Sequence, residues 1–146
     1  MISSSSTVAA VDCGPRSGFA WGSDGVVFGT LTVPNFHVGW PLDEFRQVEE
    51  ILRRVVDCKA SVVVIEDFIL RLPVKGTQRE GLSSARIGFA LALELRQMSL
   101  PVVWQQPVEM KLIKGRVSGR NEHERDAVKH LKVYWRKQSN TRWDGQ

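Results

Sequence analysis

Cysteine, tyrosine and histidine are scarce in this chain: two Cys, one Tyr and three His among 146 residues. Cys13 and Cys58 are too few for a disulfide scaffold, and both are expected to stay reduced inside a cell. Long apolar runs are missing too. Nothing approaches the ~18 consecutive apolar residues that mark a membrane span, so no membrane partner is expected. Met1-Ile2-Ser3-Ser4-Ser5-Ser6 has neither the basic start nor the apolar middle of a secretory signal, and reads as a frayed tail. There is no internal repeat and no domain-sized linker. A composition of 42% hydrophobic and 25% charged residues is ordinary for a soluble globular domain, and the length is near the mode for one. The expectation is a single domain over 1–146, with flexible tails at 1–6 and 139–146.

What is present is a succession of short elements. Residues 7–12 are apolar until the last and read as a central strand. Residues 14–18 form a turn. Second and third strands over 19–22 and 26–33 are joined by a hairpin at Ser23-Asp24-Gly25. Pro41 opens a helix in which Leu42, Phe45, Val48, Leu52 and Val55 recur at helical spacing. Residues 60–66 make a fourth strand. Thr77 and Glu80 have capping-box spacing, but Gly81 moves the expected start of a second helix a few residues on. Ala85, Phe89, Ala92 and Leu93 give that helix one apolar face. A fifth strand over 101–106 and a helical turn over 107–113 follow. Asn121 and Glu124 fit a second capping box, opening a last helix to about residue 135. Three strands, helix, strand, helix, strand, helix is the order of an α/β ribonuclease H-like fold. That fold is a mixed five-stranded sheet with helices on both faces. In such a sheet the first and fourth strands lie side by side.

Three acids stand where acid is costly. Asp12 closes the first strand, Glu66 closes the fourth, and Asp126 lies near the start of the last helix. An unpaired buried carboxylate is expensive, so acids at the ends of buried strands are rarely there for packing. Converging, the three would make a site for a hard divalent cation such as Mg²⁺. The plainer alternative for Asp12 is a turn acid bonded near the Gly14 amide. Glu66 and Asp67 face opposite ways on a strand, so only one can join Asp12. His123 and Asp126 are three apart and share a helix face. His123 could ligate a metal or handle a proton, or be a surface residue of a first turn. Glu122 is a substitute ligand, and Glu124 has a ready role as the capping acid. His37 and His130 show no partner and are assigned no role.

At these residues the chain resembles the RuvC family of Holliday junction resolvases. Ala10-Val11-Asp12-Cys13-Gly14-Pro15, with Ser17-Gly18-Phe19-Ala20, is similar to the family's first strand, its catalytic Asp, the Gly-rich turn and the second strand. Val64-Ile65-Glu66-Asp67-Phe68 is similar to the strand ending in the catalytic Glu. His123-Glu124-Arg125-Asp126-Ala127 resembles a last helix with two metal-site residues three apart, Asp or His first, then Ala. Ala85-Arg86-Ile87-Gly88 and Pro107-Val108-Glu109-Met110-Lys111 match further segments, so the likeness spans most of 7–135. The chain departs in two places. A short basic loop replaces a longer insertion before the last helix. Ile69 stands where an aromatic residue usually distorts DNA, with Phe68 just before it.

The resemblance implies a metal-dependent endonuclease for four-way or branched DNA, with Asp12, Glu66, His123 and Asp126 as catalytic and metal-binding residues. Two Mg²⁺ ions, replaceable by Mn²⁺, would serve one site. A homodimer would supply the two active sites that paired cuts require. The helix holding Phe89 and Leu93 is the expected interface. The compact form points to a virus-encoded or mobile-element member acting in the cytoplasm. Two basic loops would flank the acids. One carries Phe68, Arg71, Lys75 and Arg79, with Arg86 beyond; the other carries Lys111, Lys114, Arg116 and Arg120. Such loops fit a DNA backbone crossing an acidic site, although charge runs are often only solvated faces. Phe68 could wedge between bases or lie in the core. Two rival readings are a YqgF-type nuclease acting on RNA and a non-catalytic DNA-binding module.

Overall fold

The computed structural model describes residues 6–67 and 78–144, with the backbone alone at 78–81 and 141–144. Five strands form one sheet in the order β3-β2-β1-β4-β5. They are β1 (Val8–Asp12), β2 (Ser17–Ser23), β3 (Val26–Val33), β4 (Val62–Glu66) and β5 (Val102–Gln105). β1 runs antiparallel to β2 and parallel to β4, and β4 runs parallel to β5. The central place of β1 explains its unbroken apolar run, since both its faces are covered. The hairpin between β2 and β3 turns at Asp24 and Gly25, whose φ values of 50° and 82° are both left-handed.

Side chains alternate between two cores, as strand geometry requires. Ala9, Val11, Phe19, Val63 and Ile65 face α1 (Leu42–Asp57) and α2 (Gln78–Gln97). Val8, Ala10, Ala20 and Val64 face α3 (Glu122–Asp144), meeting Ala127, Val128 and Leu131. Small residues let α3 lie close to the sheet. A Cβ on Gly18 would sit 2.0 Å from the His123 carbonyl oxygen, so only glycine admits the start of α3 there.

The helices differ from the sequence expectation in register and length. α1 buries Gln47, Val48, Ile51 and Val55, while Leu42 and Phe45 stay exposed. The Gln47 side-chain amide donates to the carbonyls of Pro15 and Pro34, so this core position is polar for a reason hydropathy does not carry. α2 begins directly after Thr77 and runs through Gly81. Its core face is Ile87, Leu91 and Leu95, not the expected stripe, and Phe89 and Leu93 lie on the outer side. The stretch 87–95 is apolar on two stripes, and periodicity alone cannot choose between them. α3 continues to Asp144, past the expected end near residue 135 and through most of the expected loose tail. Its polar last turns propagate from the packed part, where each added residue needs only one further hydrogen bond. Arg136 donates to the Leu112 carbonyl and Lys137 pairs with Glu109, tying α3 to a 3-10 turn at Pro107–Leu112.

Candidate metal centre

Strand parity places the acids. Ala10 pairs with Val64 across the parallel β1–β4 ladder, and both face α3. Two residues on, in the same phase, stand Asp12 and Glu66. Asp67 is out of phase with them; its amide donates to the Gln105 carbonyl at 2.7 Å. The first turn of α3 brings His123, whose Nδ1 lies 3.3 Å from Asp12 Oδ2. Asp126 follows one turn later. Asp12, Glu66, Glu122, His123 and Asp126 line one cleft of about 470 Å³, with Ser84 of α2 and Arg16 at its margins. The turn after β1 is closed by Ser17, whose hydroxyl accepts from the Gly14 amide and donates to its carbonyl. Asp12 is therefore not needed as the turn acid and is left to the cleft.

The electrostatics are those of too much negative charge in one place. Burial pushes the Asp12 carboxyl well above its usual range. The His123 hydrogen bond opposes that rise, and Glu66 and Asp126 add to it. Burial also raises Glu66, but the neighbouring His130 ring and Asp12 carboxyl overcome it and hold the group down. The two carboxyls are therefore shifted in opposite directions, Asp12 up and Glu66 down. Asp126 is raised by burial, then by Glu66 and Glu122. His123 is raised by its hydrogen bond to Asp12. Burial pushes the Cys13 thiol up, which makes it an inert neighbour and not a nucleophile.

Among the described residues, no group of three or more His, Cys, Asp or Glu side chains is already placed to hold a metal ion. The donor chemistry nevertheless fits a hard cation that keeps several waters. Oxygen donors from β1, β4 and α3 surround an open cleft, and their mutual repulsion is what a bound cation would relieve.

The other expected residues divide. Phe68, Arg71 and Lys75 lie outside the described residues, as does the side chain of Arg79. Arg86 does not line the cleft. Its guanidinium is clamped by Glu44 through bonds of 2.6 and 2.5 Å and lies over the Trp40 ring. Lys111, Lys114, Arg116 and Arg120 are exposed along the segment leading into α3. Arg116 shares a second cleft with Arg125 and Lys129. Glu124 is not a capping-box acid. The Asn121 side chain does accept from the Glu124 amide, but the Glu124 carboxylate turns inward. There it accepts from Thr30 at 2.7 Å, from Thr32 at 2.5 Å and from Arg120. Burial alone would raise Glu124, yet the bonds from Thr32 and Thr30 bring it down to about 2. Sequence reasoning also missed His130 and Gln105, both fully buried beneath Glu66. His130 falls one turn after Asp126, so helical spacing could have found it.

The sheet order, the mixed strand directions and the helices on both faces define a ribonuclease H-like fold. More narrowly it is the fold of RuvC, as two solved structures show. Thermus thermophilus RuvC in complex with a Holliday junction substrate superposes with a TM-score of 0.74 at 12% identity, covering 93% of this chain and 97% of that one. A second Thermus thermophilus RuvC structure gives 0.68 at 14% identity, covering 92% and 97%. No protein-family model and no curated protein sequence matches the chain. Among the described residues, no helix is long and apolar enough to cross a membrane.

Proposed function

We propose that this chain is a divalent-metal-dependent endonuclease that resolves four-way or other branched DNA by paired phosphodiester hydrolysis. The observation that carries the reading is one cleft holding Asp12, Glu66, His123 and Asp126 at the ends of two parallel strands and the start of α3. The fold shared with RuvC, one of whose structures holds a Holliday junction, favours junction DNA as the substrate. Asp12, on the central strand, would hold the cations together with Glu66 and Asp126. His123 completes the set, with Glu122 as its substitute. Bound Mg²⁺, or Mn²⁺ in its place, would activate a water and stabilise the leaving oxygen. The protein's own part is to hold these acids in register, keep Asp12 largely shielded from solvent and offer His123 for proton transfer.

Lys111, Lys114, Arg116 and Arg120 would contact the DNA backbone, and Phe68, Arg71, Lys75 and Arg79 are proposed as further contacts from the sequence after Glu66. Arg86 has a smaller part in this, because Glu44 already neutralises it. A two-fold homodimer would pair the cuts, and the exposed Phe89 and Leu93 on α2 offer the apolar surface for it. Incubating the purified protein and Mg²⁺ with four-way, flap, duplex and RNA–DNA hybrid substrates tests the reading. Symmetric, metal-dependent nicks in the four-way substrate are expected. Cleavage confined to RNA would support the YqgF-type alternative, and metal-independent binding without nicking would leave a DNA-binding module.

A further inference from the structure

Beneath the cleft, Glu66 rests on a buried polar pair that no part of the proposed chemistry uses. Gln105 of β5 pairs with Glu66 in the parallel ladder, so its side chain shares the α3 face. His130 of α3 reaches the same point from above. Both are essentially inaccessible to solvent. His130 Nδ1 lies 2.8 Å from Gln105 Oε1, and His130 Nε2 lies 3.4 Å from Glu66 Oε1. Two atoms of the group lack a hydrogen bond: Gln105 Nε2 and His130 Nε2. Buried polar atoms are seldom left so, because each costs free energy.

A neutral imidazole carries one N–H. With Oε1 of Gln105 facing Nδ1, as the structure has it, that nitrogen holds the hydrogen of a neutral ring, and the bare Nε2 lone pair confronts the Glu66 carboxylate. Two acceptors then repel. An amide turned the other way donates from its NH₂ to Nδ1 and fixes the hydrogen on Nε2, which points at Glu66. Closing 3.4 Å by a few tenths of an ångström makes that contact an ordinary hydrogen bond.

We propose that His130, held in its Nε2–H tautomer by Gln105, is a positioning residue that orients Glu66 to receive a divalent cation. It touches neither substrate nor cation. A carboxylate held by a single rigid donor presents its other oxygen to the cleft in one direction. Without the donor it rotates, and part of the binding free energy goes into fixing it. The geometry supports this role specifically for Glu66: strand pairing with β5 fixes its backbone, and α3 fixes the donor. The inference rests on the metal-site reading above.

The test measures Mn²⁺ binding by the DNA-free protein, read from the electron paramagnetic resonance signal of free Mn²⁺. His130→Leu keeps the volume and removes the donor. His130→Gln returns an NH₂ close to the Nε2 position. Wild type is expected to bind, His130→Leu to bind roughly 10- to 100-fold more weakly, and His130→Gln to recover most of the loss. The Mg²⁺ concentration for half-maximal cleavage should follow the same order, with KM for DNA unmoved. Equal binding by wild type and His130→Leu overturns the positioning role alone. Equal weakening in both variants also overturns it, since lost packing then explains the effect. Failure of folded wild type to bind Mn²⁺ overturns the metal-site reading itself. Should His130→Leu not fold, Gln105→Leu carries the test. It removes the tautomer-setting amide and should weaken Mn²⁺ binding in the same direction; unchanged binding overturns the proposal.

Discussion

Replacing Asp12 by Asn should destroy cleavage and make the metal-free protein more stable. Asp12 is 13% exposed and faces Glu66 and Asp126 across a small cleft. Its folded-state pKa is raised, so the folded chain holds the Asp12 proton more tightly than the unfolded chain does. The stability that proton contributes is complete below about pH 4, the ordinary carboxylate value. It is lost as pH rises through the raised value towards and beyond neutrality. The amide introduced by Asp12→Asn has nothing to ionise. Its NH₂ can donate to Glu66 and its oxygen can accept from His123, which preserves the bonds of protonated Asp12. Wild type and Asp12→Asn should therefore melt together near pH 4 and diverge above it. At pH 8 in EDTA the variant should be more stable by about 1–3 kcal/mol, the scale of one poorly compensated buried polar group. For a domain of this size that is roughly 3–10 °C in Tm. Added Mg²⁺ should narrow the gap, because it stabilises only the folded state that binds it. Thermal melts by circular dichroism across pH 4–8, with EDTA or Mg²⁺, provide the measurement. A variant that melts below wild type at pH 8 in EDTA, or a gap that ignores pH, would refute the account of the cleft as a cluster of competing acids.

Three further expectations follow from the same geometry. His123→Ala should lose much of the cleavage rate while His123→Asp keeps some with Mg²⁺, because a carboxylate can replace imidazole as a hard ligand; a wild-type rate for His123→Ala would pass the role to Glu122. Neutralising Lys114 and Arg116 together should flatten the log–log salt dependence of junction binding by one to two steps of roughly 0.9 each; an unchanged slope in a folded variant would move the DNA path to Arg71, Lys75 and Arg79. Glu124→Leu should cost about 2–4 kcal/mol in urea unfolding, since it orphans Thr30 and Thr32. The wild-type contribution of Glu124 is present above the ordinary glutamate pKa and is lost as pH falls through about 2. A cost of only a few tenths of a kcal/mol would show that water replaces those bonds.

Much of the fold was legible because the strands announce themselves. Continuous apolar runs ending in acid at Asp12 and Glu66 identify buried parallel strands, and the Asp24-Gly25 turn identifies the hairpin. The outer and inner faces of α2 were not legible, because Ile87, Phe89, Leu91, Leu93 and Leu95 offer alternative stripes of similar hydropathy. Helix length failed at α3 for the opposite reason: its last turns carry no apolar signal, and their tethers to Glu109 and Leu112 come from distant sequence. In the cleft, the acids and His123 were legible from position. His130 and Glu124 were not, since each becomes meaningful only beside a strand residue far away in the chain, Gln105 for one and Thr30 and Thr32 for the other.

The close seat of α3 on Gly18 has a consequence for the timing of chemistry. Half of the cleft belongs to the sheet and half to the element that comes last in chain order. A folding chain that has formed β1 and β4 already displays Asp12 and Glu66, yet it has no Asp126, no His123 and no His130 to steady Glu66. The helix that delivers all three also closes one of the two apolar cores, so it docks with that core or not at all. The complete cleft therefore exists only when α3 is docked, and it is lost as one unit when α3 leaves the sheet.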